Sequence, residues 1–233
     1  MTSPANYEQN DSVSTITLDD GKVNVLGPTM QAALNDALDR AEKDGSKAVV
    51  LAGNQRVFSG GFDLSVFRSG DAEAALSMLA GGFQLAKRCL TFPKPVIMAA
   101  TGPAIAMGSF LLLTGDHRVG APNSRCQAIE VAIGMTIPIS GIEIMRMRLT
   151  PAAFHRGTAL ASTFVGDEAI AAGWLDEIVD ADKVLARAQE VATEAAATLH
   201  AGAHLATKLK ARESALAAIQ AGIDGLPTEF AAS

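Results

Sequence analysis

The sequence predicts an α/β core over residues 1–150 and a helical region over residues 151–233. Up to Thr150, short apolar segments of strand length alternate with segments in which apolar residues recur at helical spacing. Beyond Thr150 the strand-like segments end, and Ala-rich helical patterns follow one another. The chain has 233 residues, 48% of them hydrophobic, so it is long enough to bury a large core.

The first elements of the core are a strand pair, a helix and a third strand. Val, Thr and Ile favour a strand over Val13–Leu18, and a turn leads from it to the short apolar segment 23–26. We expect these two segments to form a hairpin. Pro28 suits the first turn of a helix whose apolar residues recur as far as Gly45, and residues 47–52 follow as a buried strand.

A similar succession repeats in weaker form. Residues 71–90 have helical spacing, although Gly81-Gly82 interrupts the pattern. The continuous apolar run Val96–Ala100 is typical of a buried strand, and we expect a short helix over 106–113 and a strand over 117–119. Alternation of this kind predicts a layered α/β fold.

The last third of the chain is expected to be helical. Its segments begin near Asp or Thr-Pro, residue types that start helices, and they cover Pro151–Leu160, Asp167–Ala172, 182–199 and 203–218. The tail after Gly222 has no clear pattern, and we expect it to be mobile.

Composition limits the environment and the partners. A net charge of -6 and a pI near 5.2 exclude the basic surface that a nucleic-acid binder needs. No apolar run approaches the roughly 18 residues of a membrane span, and the polar N-terminus has no export signal, so we expect a cytoplasmic protein. Cys89 and Cys126 are then expected to be buried thiols rather than a disulfide.

Two glycine-bearing loops each lie between an apolar strand and a helical pattern. They cover residues 56–64 and 102–109. Backbone N–H groups at the start of a helix have no partner in the helix, so two such loops brought together can bind the negative charge that develops on a carbonyl oxygen. Glycine at a strand-to-helix turn can also serve backbone geometry alone.

At these loops the chain resembles the crotonase family, also called the enoyl-CoA hydratase/isomerase family. Residues 58–64 resemble the family's Phe-Ser/Ala-Ala-Gly-Ala-Asp-Leu segment, and residues 94–102 resemble its Lys-Pro-Val-Ile-Ala-Ala-Val-Asn-Gly strand. The resemblance runs in the same order over residues 13–179. Its further segments are 21–26, 115–118, 130–134, Pro138 and 173–176.

The resemblance implies a fold, a substrate and an assembly. It implies a crotonase-like spiral of repeated ββα units, an acyl-CoA thioester as the substrate, and no cofactor, since CoA is part of the substrate. The C-terminal helices would cover the active site and form a homotrimer or a dimer of trimers. By position, the family's oxyanion donors fall on the backbone N–H groups of Phe62 and Met107. A main-chain donor survives any side chain except proline, so the departure from Gly at Met107 leaves this role in place.

The two glutamate positions of the family's hydratases differ in this sequence. Phe110 occupies the first, and Glu130, among apolar neighbours that would raise its pKa, occupies the second. Adding water to a double bond needs a base and an acid, whereas one carboxylate can move a proton from C2 to C4. The pattern therefore resembles that of Δ3,Δ2-enoyl-CoA isomerases, with Glu130 as the catalytic base.

Two alternatives remain open. The protein could be an enoyl-CoA hydratase that uses Glu130 with Glu143 or a water, or a non-catalytic acyl-CoA binding protein, which the apolar Phe110 and Met107 would suit. No cluster of His residues predicts a metal site.

Further residues are candidates for contacting the substrate. Asp63 is also a candidate helix cap. The expected substrate-binding residues are Gly61, Asp63, Leu64, Gly108, Phe110 and Lys22, and Lys22, Arg56, Arg68 and Lys208 are candidates for the CoA phosphates.

Overall fold

The computed structural model describes residues 3–231. Residues 1–2 of the predicted α/β core and residues 232–233 of the predicted helical region lie outside the described residues. Within this range the strands are Ala5–Asn10 (β1), Val13–Leu18 (β2), Ala48–Ala52 (β3), Val96–Ala100 (β4), Ala104–Ile105 (β5), His117–Gly120 (β6), Cys126–Gln127 (β7) and Glu177–Ile178 (β8). The α-helices of the same range are Pro28–Lys43 (α1), Leu64–Arg68 (α2), Ala72–Thr91 (α3), Met107–Leu113 (α4), Ile139–Arg148 (α5), Pro151–Leu160 (α6), Asp167–Ala172 (α7), Val184–Thr198 (α8) and Ala201–Ala231 (α9).

A six-stranded sheet forms the centre of the fold, in the order β1-β2-β3-β4-β6-β8. Only β1 and β2 are antiparallel, and the remaining pairs are parallel. Every residue of β3 and β4 is buried, as expected for central parallel strands covered on both faces. Alternate side chains of β3 pack on opposite faces of the sheet. Val49 and Leu51 pack in the hydrophobic core on the side of α1 and α3, and Val50 packs in the core on the side of α8.

Short strand segments form a second layer, and they give the fold its repeat. Val25 pairs with Gly61, Ser59 pairs with Ala104, and β5 pairs with β7. A long strand, a short strand segment and a helix therefore follow one another several times along the chain. This succession agrees with the spiral of ββα units that the resemblance implied.

The predicted hairpin between 13–18 and 23–26 is wrong. The antiparallel partner of β2 is β1, with Ala5 opposite Leu18 and Asn10 opposite Val13. As an edge strand β1 is mostly exposed, so its polar sequence carries no apolar alternation. Residues 20–25 instead fold around the Asp20 carboxylate, which accepts the N–H groups of Lys22, Asn24 and Val25 at 2.7–3.0 Å.

The C-terminal helices pack directly on the core. Helix α8 covers one face of the sheet at β3 and β4, and α9 lies against α3 and α5. The division at Thr150 stays a prediction. Both cysteines are free and buried, which confirms the expected thiols. Among the helices of residues 3–231, none has the length and apolar content needed to cross a membrane.

The expected mobile tail after Gly222 is helical instead, since α9 continues to Ala231. Gly222 marks the crossing of α9 over α5, because a Cβ there would lie 2.6 Å from the Ser140 hydroxyl oxygen. Ile223 and Leu226 are buried beyond it. Packing of this apolar face stabilises the helix past a glycine and a proline.

Candidate active site

The first glycine loop is fixed by two buried polar side chains. The Asn24 side-chain amide donates to the Phe58 carbonyl at 3.1 Å, and the Ser59 hydroxyl donates to the Asn24 carbonyl at 2.7 Å. The Ser59 hydroxyl oxygen also accepts the Gly61 N–H at 3.2 Å. These bonds hold the backbone that leads to Phe62.

The two loops touch each other at Gly61. Its φ of 95° is in the region that favours glycine, and a Cβ there would lie 2.8 Å from the Ala106 Cβ and 3.4 Å from the Met107 nitrogen. The Ile105 N–H donates to the Ser59 carbonyl at 2.9 Å, which holds the second loop against the first. The fold therefore brings the amides after Gly61 and after Ala106 close together.

The backbone N–H groups of Phe62 and Met107 have no hydrogen-bond partner in the part of the chain that the structure describes. Met107 is the first residue of α4, so its N–H has no acceptor within the helix. The Met107 side chain is fully buried in the core. Two such donors side by side can bind a carbonyl oxygen that becomes negative, the role expected from the resemblance.

Glu130 is a buried carboxylate at the start of the 3-10 turn Glu130–Ile133. The residue is 7% exposed, and its Oε2 atom has no hydrogen-bond partner within the described range of the chain. Burial raises the pKa of the Glu130 carboxyl from 4.5 to about 7, and the residue's own backbone N–H lowers it slightly. At neutral pH this carboxyl can therefore both accept and release a proton.

Glu130 faces a cavity of about 620 Å³ whose wall is mainly apolar. The rings of Phe62 and Phe83 meet edge to face at 6.2 Å, and those of Phe83 and Phe110 stack at 6.1 Å. Residues 81–82, expected to interrupt the helix, lie inside α3, where a Cβ on Gly82 would come 2.5 Å from the Phe62 ring. Glycine in α3 thus makes room for the ring that lines the cavity.

The other predicted substrate-binding residues lie in different places. Leu64 lines the cavity. Gly108 packs against Ser59, since a Cβ would lie 2.5 Å from its carbonyl oxygen. The Asp63 carboxylate caps α2 by accepting a backbone N–H at 2.9 Å, and Lys22 is exposed outside the cavity wall. The substrate-binding roles of these residues stay predictions.

Glu143 does not supply the second carboxylate of the hydratase alternative. It lies on α5, where it forms an ion pair with Arg146 at 3.2 Å. It is not among the residues that line the cavity with Glu130.

Lys208 is also badly placed for its expected role with CoA phosphates. It is 6% exposed, and its ammonium lies 2.7 Å from the Asp116 carboxylate. Arg212 binds the other oxygen of Asp116 at 2.7 Å. This buried cluster joins α9 to the loop before β6, so its role is structural, whereas Arg56 and Arg68 are exposed.

Glu229 is a cavity residue that the sequence interpretation missed. It lies near the end of α9, in the segment expected to be mobile, and it lines the same cavity as Glu130. The signal that could have revealed it is the spacing of Ile219, Ile223 and Leu226, which continues the helical pattern beyond Gly222.

Comparison with known proteins agrees with this geometry. The family model described as enoyl-CoA hydratase/isomerase matches residues 8–224. The chain therefore belongs to the enoyl-CoA hydratase/isomerase family, and the crotonase fold and the enzyme class expected from the sequence are confirmed.

Similar proteins carry different names. A Mycobacterium tuberculosis structure described as an enoyl-CoA isomerase has a TM-score of 0.95 and 55% identity, over 99% of this chain and 100% of that one. An enoyl-CoA hydratase structure from Mycobacterium marinum has a TM-score of 0.95 and 56% identity, over 97% and 99%. The carnitinyl-CoA dehydratase of Salmonella enteritidis is 26% identical over 196 residues, which are 83% of this chain and 75% of that protein. The reaction must therefore be argued from the site residues.

Proposed function

We propose that the protein is a Δ3,Δ2-enoyl-CoA isomerase that uses Glu130 to move one proton along the acyl chain. The observation that carries the proposal is the buried Glu130 carboxylate, whose Oε2 atom lacks a partner in residues 3–231 and which lines an apolar cavity together with Phe62, one of the two residues with an unpaired amide. Phe110 closes the wall where the family's hydratases carry another glutamate.

The thioester carbonyl would accept hydrogen bonds from the amides of Phe62 and Met107. These bonds stabilise the enolate that forms when a proton leaves C2, so they lower the barrier to its removal. Glu130 takes that proton, the double bond moves from C3–C4 to C2–C3, and the same carboxyl returns the proton at C4. One group acts as base and then as acid, which suits a pKa near the working pH.

Enoyl-CoA hydration is a second candidate function, favoured by Glu229. This residue brings another carboxylate to the cavity from α9. The relatives named as hydratases are as similar to this chain as the one named as an isomerase.

One assay separates the candidates. The pure protein is incubated with 3-enoyl-CoA and, separately, with 2-enoyl-CoA, while the absorbance of the conjugated thioester is followed. An isomerase raises the absorbance with 3-enoyl-CoA, and a hydratase lowers it with 2-enoyl-CoA. No change with either substrate, despite measurable binding, would contradict both reactions and favour an acyl-CoA binding protein.

We also propose that no separate cofactor takes part, because the carboxylate and amides are sufficient for proton transfer. A homotrimer or a dimer of trimers in the cytoplasm stays our expectation for the assembly. Sedimentation of the purified protein would test the assembly.

A further inference from the structure

The two carboxylate oxygens of Glu229 differ in their hydrogen bonding. It lies near the C-terminal end of α9, half-buried, above the start of α5. Its Oε2 atom accepts the Ile139 N–H at 3.1 Å. Its Oε1 atom is buried and has no hydrogen-bond partner among the residues that the structure describes. One oxygen therefore anchors the side chain, while the other has no partner among the described residues.

A purely hydrocarbon chain in this cavity would leave the Oε1 atom without a donor. A buried polar atom that loses water and gains no partner is destabilised, and more so when it is charged. Phe62, Phe83 and Phe110 in the surrounding wall offer no side-chain donor. The Thr136 hydroxyl, which also lines the cavity, makes no hydrogen bond to the Glu229 Oε1 atom. A water or a hydroxyl on the acyl chain can supply a donor to this atom.

Glu130 and Glu229 bring two carboxyl groups to the same cavity. Each carries one buried oxygen without a partner in residues 3–231, and both line one cavity. Burial favours the protonated form of Glu130, and the Ile139 N–H holds the Glu229 side chain through its Oε2 atom. Two carboxyl groups at one cavity can divide the roles of proton donor and proton acceptor in one reaction.

We propose that Glu229 is a second catalytic carboxylate, which binds and activates the water that adds to C3 of a 2-enoyl-CoA thioester. The site would then hydrate 2-enoyl-CoA as well as isomerise 3-enoyl-CoA, without a carboxylate at position 110. The inference rests on the proposed acyl-CoA site, with Glu130 as its proton donor.

The step balances with the groups present. A water proton passes to the Glu229 carboxylate as the water oxygen bonds to C3. The C2–C3 π electrons move to form the enolate, whose oxygen is held by the amides of Phe62 and Met107. C2 then takes the proton of Glu130, and the two carboxyl groups return to their starting states by exchanging one proton with solvent. The product is 3-hydroxyacyl-CoA, with its hydroxyl beside Glu229.

The test is the substitution Glu229→Gln, because the Gln side-chain carbonyl can still accept the Ile139 N–H. Hydration of 2-enoyl-CoA should fall by roughly 10²- to 10⁴-fold, the usual effect of removing a general base. Isomerisation of 3-enoyl-CoA should fall much less than hydration, because Glu130 alone carries the proton in that reaction, so the ratio of hydration rate to isomerisation rate should drop by roughly tenfold or more. Glu213→Gln, on an exposed position of the same helix, is the matched control and should change neither rate.

Several results would overturn the proposal. It fails if wild-type protein shows no hydration, if Glu229→Gln hydrates within about threefold of wild type, or if the variant loses both reactions equally. Glu229→Asp provides a second check, because it keeps a carboxylate on a shorter side chain, and it should lower hydration more than isomerisation. Failure of isomerisation in wild type would instead refute the function proposed above and leave the hydration measurement to decide the role of Glu229.

Discussion

Replacing Glu130 by Gln should remove catalysis and leave the fold intact. The amide keeps the shape of the side chain but cannot accept the C2 proton, so isomerisation should fall by roughly 10²- to 10⁴-fold. The rate of the wild-type reaction should rise with pH through about 7, because only the ionised carboxylate is a base and burial raises its pKa to about 7. Hydration uses the protonated form and should fall over the same interval.

The same burial predicts a pH-dependent gain in stability for Glu130→Gln. The carboxyl ionises near 4.5 in the unfolded chain and near 7 in the folded one, so its contribution to stability is fully present below 4.5 and is lost as the pH rises through about 7. The difference between the two pKa values corresponds to roughly 3 kcal/mol, at about 1.36 kcal/mol per pH unit. The Gln variant has no such loss.

Urea denaturation at pH 4.5 and pH 9, with the absorbance assay for 3-enoyl-CoA, tests both expectations. The free energy of unfolding of Glu130→Gln relative to wild type should rise by about 3 kcal/mol between the two pH values. Glu143→Gln is the matched control, because this side chain pairs with Arg146 outside the cavity, and it should change neither activity nor this difference. A Glu130→Gln variant that retains more than about a tenth of wild-type kcat, or whose relative stability does not change with pH, would refute the reasoning.

Three other substitutions test the loops and the buried ion cluster. Met107→Pro removes one proposed oxyanion donor and should lower kcat by about 10²- to 10³-fold relative to Met107→Leu, with circular dichroism to check the helix. Gly61→Ala should lower activity, and backbone strain alone should lower the free energy of unfolding by about 1–3 kcal/mol. The control is the same change at the exposed Gly202, which should be nearly neutral in urea denaturation. Asp116→Asn leaves the Lys208 and Arg212 charges unbalanced and should cost about 3–5 kcal/mol in the same measurement, and a loss below 1 kcal/mol would contradict the structural role of the cluster.

The central fold could be predicted because its signals are local. The continuous apolar runs of β3 and β4 and the spacing of α1 each satisfy one simple pattern. The errors arose where packing between distant segments decides the structure. The polar strand β1 is stabilised by its pairing with β2, and α9 continues past Gly222 because the glycine allows a close crossing over α5.

The residues of the candidate site also fall into those that local sequence reveals and those that depend on packing between distant segments. Glu130 and the two loops could be found because they lie in contiguous motifs of the chain. For Glu229, the helical spacing beyond Gly222 could have revealed the helix but not the place of the side chain in the cavity. That place depends on the path of a helix almost a hundred residues further along, and the hydrogen bond to Ile139 has no counterpart in local sequence. Glu143 has a similar apolar sequence context to Glu130, yet the turn of α5 directs it to Arg146.

The aromatic wall explains why a second carboxylate would enter from α9. Phe110 is 1% exposed and stacks on Phe83, so a charge in its place would lose the ring contacts and its hydration together. Burial against this apolar wall also raises the pKa of the Glu130 carboxyl to about 7, so the carboxyl can act as a proton donor or as a base near neutral pH. The end of α9 is the place where a carboxylate can reach this cavity while one of its oxygens is held by a backbone N–H. In the proposed site the apolar wall is kept, and Glu130 and Glu229 supply the two carboxyl groups, with Glu229 in the role that Phe110 cannot perform.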